Sequence, residues 1–532
     1  MPTPIKPPDL RSLMEGAAPH AVLDVREPME FHAEQVFRAT NLPRGSLEFR
    51  IAKLVPVKKT PVVLVDEGGA RAGRAARTLE ELGYADVRPL AGGLAAWKAA
   101  GLPTVSGTNV PSKDFGEKIH VQDAVPEIEA KELYELIGSG ASPCIFDART
   151  EAEYERFSVP TARSLPGGEL ILHAWDLMQD QGTPLVINCA GRTRSIIGAQ
   201  TLRRLGIPSA RALRNGGMGI MLAGLPLDRG KPGEIPAPSE RSRAYAEELA
   251  ARIAAEEGIL FVSVGELRAL LARADEETVY LLDVRLAPEF RAGHIPGALS
   301  IPGGQAVQRT DEVVAVRAAR VVTCCDASAR GVMTAYWLRR MGLGASALRG
   351  GVAAWREAGL PLREGEEGAS GESPAEAAEP LGLAEARKVA RGLAPSAARV
   401  VTAISYVIDV DPSPGFRKGH LAGASWVPRG WLEERAKKLL REKETPVLVT
   451  CADGMRSALA ARALVEMGYA RAAYLDGGKR AWAAAGLPLQ EGEKGLDETP
   501  QDVALKPYDI GREAMESYLS WEEALGGKHR QG

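Results

Sequence analysis

The stretch PLVINCAGRTRS, residues 184–195, is an apolar run that ends at Cys189 and continues into a loop with two arginines. Three other stretches repeat it: PVVLVDEGGARA at 61–72, RVVTCCDASARG at 320–331 and PVLVTCADGMRS at 446–457. The four copies share one position, occupied by Asp66, Cys189, Cys325 and Cys451, and an arginine follows five residues later in each copy. A spacing that recurs in this way indicates repeated structural units.

The repeat extends on both sides of this loop. Upstream, a second apolar run ends in Asp24, Asp147, Asp283 or Asp409, and each aspartate lies 42 residues before the loop position. Downstream come the glycine pairs Gly92–Gly93, Gly216–Gly217, Gly350–Gly351 and Gly477–Gly478, then a large side chain at Trp97, Met221, Trp355 or Trp482. We therefore predict four domains, over residues 1–107, 127–230, 259–365 and 381–490, followed by a C-terminal tail over 491–532.

Three segments between the predicted domains differ in composition. Residues 108–126 are mixed polar, 231–238 are rich in proline, and 366–380 are acidic, which indicates a flexible spacer. The pattern predicts two further helices. One runs from Ser239 to Glu257 and is ended by a glycine, and the other lies near Arg512–Leu525 in the tail.

Each unit alternates short apolar runs with amphipathic stretches of helical length. Buried strands that alternate with helices are typical of a parallel sheet covered on both faces. We expect an α/β fold of four repeated domains, each with a central parallel sheet and helices on both faces. In such folds ligands bind at the carboxyl ends of the strands, which is where the four loops are predicted to lie.

Composition argues against several classes of protein. The 66 Lys+Arg residues are balanced by 69 Asp+Glu residues, so we expect no nucleic-acid partner. No window approaches the ~18 apolar residues of a membrane span, and the N-terminus lacks the pattern of a signal peptide, so no membrane partner is expected. Five cysteines without a CxxC pair and seven scattered histidines argue against a disulfide scaffold and a metal site. These features predict a reduced, cytoplasmic protein.

A thiol between a strand and a helix is suited to nucleophilic chemistry. Backbone N–H groups of the loop and the positive end of the helix dipole favour the thiolate. The arginine five residues later adds positive charge, so the loop suits a covalent intermediate on sulfur. Cys144 and Cys324 lie inside apolar runs and are expected to be core residues.

Unit three carries further motifs: Asp283-x-Arg285, Glu289–Phe290 and GHIPGA at 293–298. Together with Cys-x4-Arg, the glycine pair and the tryptophan, this pattern resembles the rhodanese-like sulfurtransferases. The whole chain, apart from linkers and tail, resembles tandem four-domain rhodanese proteins. The resemblance implies a catalytic cysteine that takes sulfane sulfur from a donor such as thiosulfate and carries it as a persulfide to cyanide or a thiol. It implies no cofactor.

The resemblance assigns catalysis to Cys189, Cys451 and Cys325. Loop charge ranks them in this order, because CAGRTRS has two arginines and no acid, whereas an aspartate directly follows Cys325 and a nearby carboxylate disfavours a thiolate. The residues expected to bind the donor are Ala190, Gly191, Arg192, Thr193, Arg194, Ser195, Arg330, Gly454, Arg456 and Ser457. Asp66 cannot carry a persulfide, so domain 1 is expected to be inactive in sulfur transfer.

Some departures from the family pattern leave alternatives open. Unit four has Asp411 in place of the arginine of Asp-x-Arg and Gly415 in place of the usual glutamate. A non-catalytic scaffold or persulfide carrier that binds protein partners is the main alternative to an enzyme. Cys324 and Arg330 have the Cys-x5-Arg spacing of phosphatases, but the 42-residue register assigns the loop to Cys325. The donor, the acceptor and the oligomeric state are left open.

Overall fold

The computed structural model describes residues 2–140, 143–178, 184–233, 236–365 and 379–530. The chain divides into two compact units. Unit 1 combines Met1–Ser106 with Glu376–Ala504 and contains domains 1 and 4, and unit 2 combines Gly107–Ala375 with Leu505–Gly532 and contains domains 2 and 3. The predicted spacer over 366–380 lies almost wholly outside the described residues.

Each domain contains a parallel sheet, and the expected α/β class is confirmed. In spatial order, the strands of domain 1 are Val87–Pro89, Val62–Val65, His20–Asp24 and Thr40–Asn41, with a parallel bridge from Ile5 to Leu90 beyond the first. Those of domain 2 are Glu127–Ile128, Arg211–Leu213, Leu185–Asn188, Cys144–Asp147 and Arg163–Ser164. Those of domain 3 are Phe261–Val262, Ala345–Leu348, Arg320–Cys324, Val279–Asp283 and Leu299–Ser300, and Val316–Arg317 is a further short strand. Those of domain 4 are Arg391–Leu393, Ala472–Leu475, Val447–Thr450, Tyr406–Asp409 and Ser425–Trp426.

Helices connect these strands in every domain. Domain 1 has Pro7–Glu15, Pro28–Ala33, Leu47–Leu54, Ala70–Glu81 and Gly93–Ala99, and domain 2 has Ala130–Gly138, Glu151–Arg156, Ala174–Met178, Thr193–Arg204 and Gly216–Leu222. Domain 3 has Val264–Leu271, Ala287–Ala292, Gly303–Gln308, Thr310–Val313, Ala329–Arg340 and Gly351–Glu357. Domain 4 has Leu383–Val389, Pro395–Val401, Ser413–Lys418, Arg429–Leu439, Met455–Glu466 and Gly478–Ala484. Among the described residues, Arg44–Ser46 and Leu170–His173 form short 3₁₀ helices. Further helices lie between or after the domains, at Val110–Gln122, Glu240–Glu256, Pro507–Ile510 and Arg512–Gly527.

The two faces of each sheet are buried in separate cores. In domain 4, Val447 and Val449 belong to one apolar cluster and Leu448 belongs to another, because successive side chains of a strand point to opposite faces. Trp482 closes the second cluster, and its indole N–H donates to the carbonyl of Pro488 at 3.0 Å. Burial of apolar side chains on both faces therefore stabilises the central strands, and the loops begin where these strands end.

The segments outside the domains contain more helix than their composition predicts. Residues 108–126, expected to be a mixed polar linker, contain the helix Val110–Gln122, which buries Phe115 and Ile119. Burial of these apolar side chains stabilises a helix that its polar residues alone do not indicate. The helix predicted from Ser239 spans Glu240–Glu256 with Ser239 as its N-cap, and the tail helix spans Arg512–Gly527, so both are confirmed.

Within the described part of the chain, no helix is both long enough and apolar enough to cross a membrane.

Candidate active site

The four loops follow the central strand of each sheet and lead into a helix, and a glycine packs directly on each of them. A Cβ atom on Gly351 would lie 2.2 Å from the carbonyl oxygen of Cys325, and one on Gly478 would lie 2.4 Å from that of Cys451. Both glycines also have positive φ, 56° and 60°. Only glycine fits so close to the loop in this conformation, which explains why the glycine recurs in the repeat.

Domain 2 keeps this arrangement in a register one residue earlier than the sequence predicted. The residues that match the glycine pairs are Asn215 and Gly216, both with positive φ, and not Gly216 and Gly217. Asparagine is one of the few side chains that tolerates the left-handed conformation. The position of the tryptophan is accordingly taken by Ile220, which is fully buried in the core, whereas Met221 is only half-buried.

Cys451 has the most complete set of loop contacts. Its sulfur accepts hydrogen bonds from the backbone N–H groups of Gly454 at 3.2 Å and Ser457 at 3.3 Å, and the Ser457 hydroxyl lies 3.4 Å away. Burial raises the pKa of the Cys451 thiol to about 11, and the carboxylates of Asp411 and Asp453 add to this effect. The predicted residues Gly454 and Ser457 therefore meet at the sulfur.

Asp66 receives the same kind of contacts in domain 1. The N–H groups of Gly69, Arg71 and Ala72 all donate to its carboxylate, the last two at 2.6 and 2.9 Å. A carboxylate side chain thus occupies the place of the thiols. In domains 1 and 4 the backbone N–H groups of the loop therefore donate to its first residue, whether this residue is Asp66 or Cys451.

Cys189 is 2% exposed and begins the corresponding loop of domain 2. Its sulfur lies 3.6 Å from the hydroxyl of Ser195, which donates to the carbonyl of Arg192 at 2.7 Å. The loop enters the helix Thr193–Arg204, so the sulfur lies at the positive end of the helix dipole.

Cys325 has an acidic neighbourhood. Its sulfur accepts one hydrogen bond, from the N–H of Gly331 at 3.4 Å. Burial and then the adjacent Asp326 raise the pKa of the Cys325 thiol to about 12, against the opposing charge of Arg330. The neighbouring Cys324 faces the core, as predicted, and burial raises its pKa well above the usual range.

The loop arginines are bound to carboxylates in three domains. Arg71, Arg194 and Arg330 each pair with a glutamate 41 residues earlier, which is Glu30, Glu153 or Glu289 respectively. In domain 2 the pair is bidentate, with N–O distances of 2.6 and 2.7 Å. Arg194 holds the pKa of the Glu153 carboxyl well below its usual range although burial acts in the opposite direction.

Domain 4 lacks the arginine–glutamate pair, because its sequence has no glutamate at the corresponding position. Gly415 stands at the place of the glutamate, and Arg456 donates to the carbonyl of Gly45 at 2.6 Å. The missing arginine of Asp-x-Arg is replaced by Lys479, whose ammonium lies 2.9 Å from Asp409 and 2.8 Å from Asp411. The sequence pattern did not identify this lysine as a partner of the two aspartates. The feature that could have indicated it is a basic residue directly after the glycine pair Gly477–Gly478.

Two helices cover the Cys189 loop, and the sequence did not predict that they do so. The tail helix Arg512–Gly527 was itself predicted, whereas the helix Val110–Gln122 was not. Glu522 of the helix Arg512–Gly527 accepts a hydrogen bond from the Thr193 hydroxyl at 2.6 Å. Arg192 is bound at 2.6 Å by Glu117 of the helix Val110–Gln122, and Glu523 lies 3.3 Å away. Residues outside the repeated units therefore contribute to this site. The Cys325 loop also has such a contact, because Glu247 of the helix Glu240–Glu256 accepts hydrogen bonds from the N–H groups of Ser328 at 3.1 Å and Ala329 at 2.9 Å.

The structure thus places a buried cysteine at the start of the loop in domains 2, 3 and 4, and backbone N–H groups donate to the sulfur atoms of Cys325 and Cys451. All five cysteines are free thiols. Among the described residues, no cluster of three or more His, Cys, Asp or Glu side chains is placed to hold a metal ion. His294 and His420 stack on Phe290 and Phe416 at 3.8 and 3.9 Å between ring centres, which gives both histidines a structural position.

Comparison with known proteins defines the class to which this fold and site belong. A sequence model of the rhodanese-like domain matches residues 6–100, 129–221, 263–358 and 394–485. The chain therefore belongs to the rhodanese-like family, with four copies of its domain.

Its relatives include proteins named as sulfurtransferases. The solved structure of a thiosulfate sulfurtransferase from Pseudomonas aeruginosa is 36% identical, covers 99% of this chain and 98% of its own, and superposes with a TM-score of 0.88. Thiosulfate sulfurtransferase PspE of Escherichia coli is 38% identical over 96 residues, 18% of this chain and 88% of that protein. A sulfurtransferase of Allochromatium vinosum is 38% identical over 90 residues, 17% of this chain and 82% of that protein. The match spans only 49% of an uncharacterized Synechocystis protein that is 39% identical over 90 residues.

Proposed function

We propose that the protein is a sulfurtransferase that carries sulfane sulfur as a persulfide on Cys189. The observation that supports this most directly is the comparison of loops: three N–H groups bind the carboxylate of Asp66, and a cysteine stands at the same place in the other domains. An element that stabilises a carboxylate also stabilises a thiolate or a persulfide anion.

The proposed reaction has two steps. The Cys189 thiolate attacks the outer sulfur of thiosulfate and forms a new S–S bond. The S–S bond of thiosulfate breaks, and sulfite leaves with the bonding electron pair. Cyanide or a thiolate then attacks the terminal sulfur of the persulfide and releases the Cys189 thiolate, so the kinetics are of the ping-pong type.

The domains contribute unequally to this reaction. The Cys451 sulfur accepts two amide hydrogen bonds but its thiol has a raised pKa, so we rank it as the second site. Cys325, with a pKa raised to about 12, contributes least, and domain 1 has no thiol at the position. We propose that domains 1 and 3 support the fold of domains 4 and 2.

Mass spectrometry of the intact protein tests the proposal. After incubation with thiosulfate and removal of the excess, the wild-type protein is expected to gain the mass of at least one sulfur atom. Cyanide should remove that mass and yield thiocyanate. The Cys189→Ser protein is expected to lose most of the adduct, and a triple Cys189→Ser, Cys325→Ser, Cys451→Ser protein serves as the blank. Wild-type protein without any adduct would contradict the proposal.

A persulfide carrier or scaffold remains the second candidate because of one observation. The loop of domain 1 keeps its amide contacts around Asp66, so the loop can be retained without a nucleophile. Sulfur loading without turnover to cyanide or a thiol would favour this candidate. Steady turnover that depends on Cys189 would favour the enzyme.

A further inference from the structure

Lys113 is a buried cation next to the Cys189 loop. It belongs to the helix Val110–Gln122, which packs so closely on the loop that a Cβ on Gly116 would lie 3.0 Å from Thr193 Cγ2. Lys113 precedes Gly116 by three residues and so lies on the same side of this helix. It is 6% exposed, and no carboxylate of the described residues forms a salt bridge with it.

The surroundings of Lys113 are those of a functional group. Its charged neighbours include Glu522, Arg194, Cys189 and Lys506, and its charge also acts on the buried carboxyl of Asp311. Burial lowers the pKa of Lys113, while the negative charges of Glu522 and of a Cys189 thiolate favour its ammonium form. A buried ammonium without an ion-pair partner is unfavourable in a merely structural position, and such groups concentrate at functional sites.

The loop arginines are less suited to bind an incoming anion. Both outer nitrogens of Arg194 are bound to Glu153. Arg192 faces Glu117 at 2.6 Å, Glu127 at 3.2 Å and Glu523 at 3.3 Å, so its single positive charge is exceeded by three carboxylates. An anion gains little Coulomb energy from guanidinium groups that are already neutralised in this way.

We propose that Lys113 binds the anionic group of the sulfur donor at Cys189, although it lies outside the four rhodanese-like domains. The inference rests on the function proposed for Cys189. The C-terminal helix closes the site: a Cβ on Gly191 would lie 3.2 Å from Glu522 Oε2 and 3.7 Å from a ring carbon of Tyr518. Exclusion of water by this cover strengthens the attraction between Lys113 and an anion.

Competing alkylating reagents test the charge of the site without any sulfur transfer. Iodoacetate is an anion and iodoacetamide is neutral, and both react with the same thiolate. The ratio of their rates at Cys189, read by peptide mass spectrometry on the full chain, therefore cancels any change in the pKa of the thiol. Lys113→Met is expected to lower this ratio about tenfold, because hydrogen bonds to charged groups contribute that much or more. Lys113→Arg is expected to restore most of it.

Two internal controls separate the site from general effects. Lys118→Met removes a half-buried lysine of the same helix and should leave the ratio unchanged. The ratio at Cys451 in the Lys113→Met protein should also stay at its wild-type value.

Thiosulfate kinetics supply the second readout. Lys113→Met should raise KM for thiosulfate about tenfold and change kcat little. An unchanged alkylation ratio together with an unchanged KM would overturn the inference.

If the protein shows no turnover at all, the proposed function fails, and the alkylation ratio alone still decides whether Lys113 forms an anion site. If Lys113→Met does not fold, sulfate should slow the alkylation of Cys189 by iodoacetamide in the wild-type protein, and a lack of protection would refute the site.

Discussion

The loops of Cys189 and Cys325 lie in neighbouring domains of the same unit and begin in the same way, with a buried cysteine at the end of a strand. They differ in the charge that follows. The Cys189 loop continues into Arg192 and Arg194. At Cys325, burial and then the adjacent Asp326 raise the pKa of the thiol to about 12. The comparison shows that the same backbone position can have different local charge: Asp326 adds to the effect of burial at Cys325, whereas no acidic residue follows Cys189 within its loop.

The largest expected effect comes from removal of the thiols themselves. Cys189→Ser should abolish most thiosulfate:cyanide sulfurtransferase activity, because its loop is the one without an acidic residue. Cys325→Ser, the matched change in domain 3, should leave activity close to the wild-type value. Steady-state assays of the two proteins test the comparison directly. Full activity in Cys189→Ser with loss only in Cys325→Ser would reverse the ranking.

A smaller effect is expected at Cys451, and it depends on pH. The pKa of this thiol is raised to about 11, so the thiolate is a small fraction at neutral pH and grows as pH rises. In the Cys189→Ser protein, the remaining turnover should therefore increase up to about tenfold per pH unit below that pKa. Adding Cys451→Ser should remove it. A residual rate that is flat between neutral and alkaline pH would show that Cys451 does not carry it.

The acidity of Cys325 can be changed without touching the thiol. Asp326→Asn removes the neighbouring negative charge, so the pKa of Cys325 should fall and its alkylation by iodoacetamide at a fixed pH should become faster. A fall of one unit corresponds to about 1.4 kcal/mol. The pH profile of alkylation at Cys325 measures the shift, with Cys451 as the internal reference. An unchanged profile would mean that burial alone sets this pKa.

The smallest effect on sulfur transfer is expected in domain 1, where the loop already contains an anion. Asp66→Ala should leave turnover unchanged but destabilise unit 1 by about 1–3 kcal/mol, because N–H groups that donate to the carboxylate lose their partner. Denaturant unfolding measures the change. Glu67→Ala, at a side chain that is 66% exposed, is the control and should have little effect.

The fold was predictable because its signals are local and repeated. Two apolar runs, one ending in Asp147 and one leading to Cys189, suffice to predict two neighbouring strands of a parallel sheet. The same spacing in all four units shows that the pattern is not accidental. The error in domain 2 arose at a point where the pattern permits two choices. Asn215 adopts the left-handed backbone conformation that glycine has in the other units. The sequence pattern therefore assigned the pair to Gly216 and Gly217, one residue too late.

The site was predictable only in its local part. The cysteines and their loop residues follow one another in sequence, and the structure places Ser195 at the Cys189 sulfur and Gly454 and Ser457 at the Cys451 sulfur. Thr193 and Glu522, in contrast, are 329 residues apart, and the carboxylates that bind Arg192 come from three different segments. No spacing rule connects such residues, because their contact depends on how separate helices pack. The donor-binding role of the loop arginines stays a prediction. Because Arg192 and Arg194 are bound to carboxylates, a different cation, Lys113, was considered for that role.

The chain order of unit 2 has a consequence for biosynthesis. Residues 107–375 of this unit are synthesised in one piece, but the helix that covers the Cys189 loop lies at Arg512–Gly527. Translation proceeds at about 5–20 residues per second, so on the order of tens of seconds pass between the emergence of the thiol and that of its cover. During this interval the Thr193 hydroxyl lacks its acceptor Glu522, and neither Glu522 nor Tyr518 lies against Gly191. A nascent chain that is arrested in this interval therefore lacks the contacts that this helix contributes to the Cys189 loop.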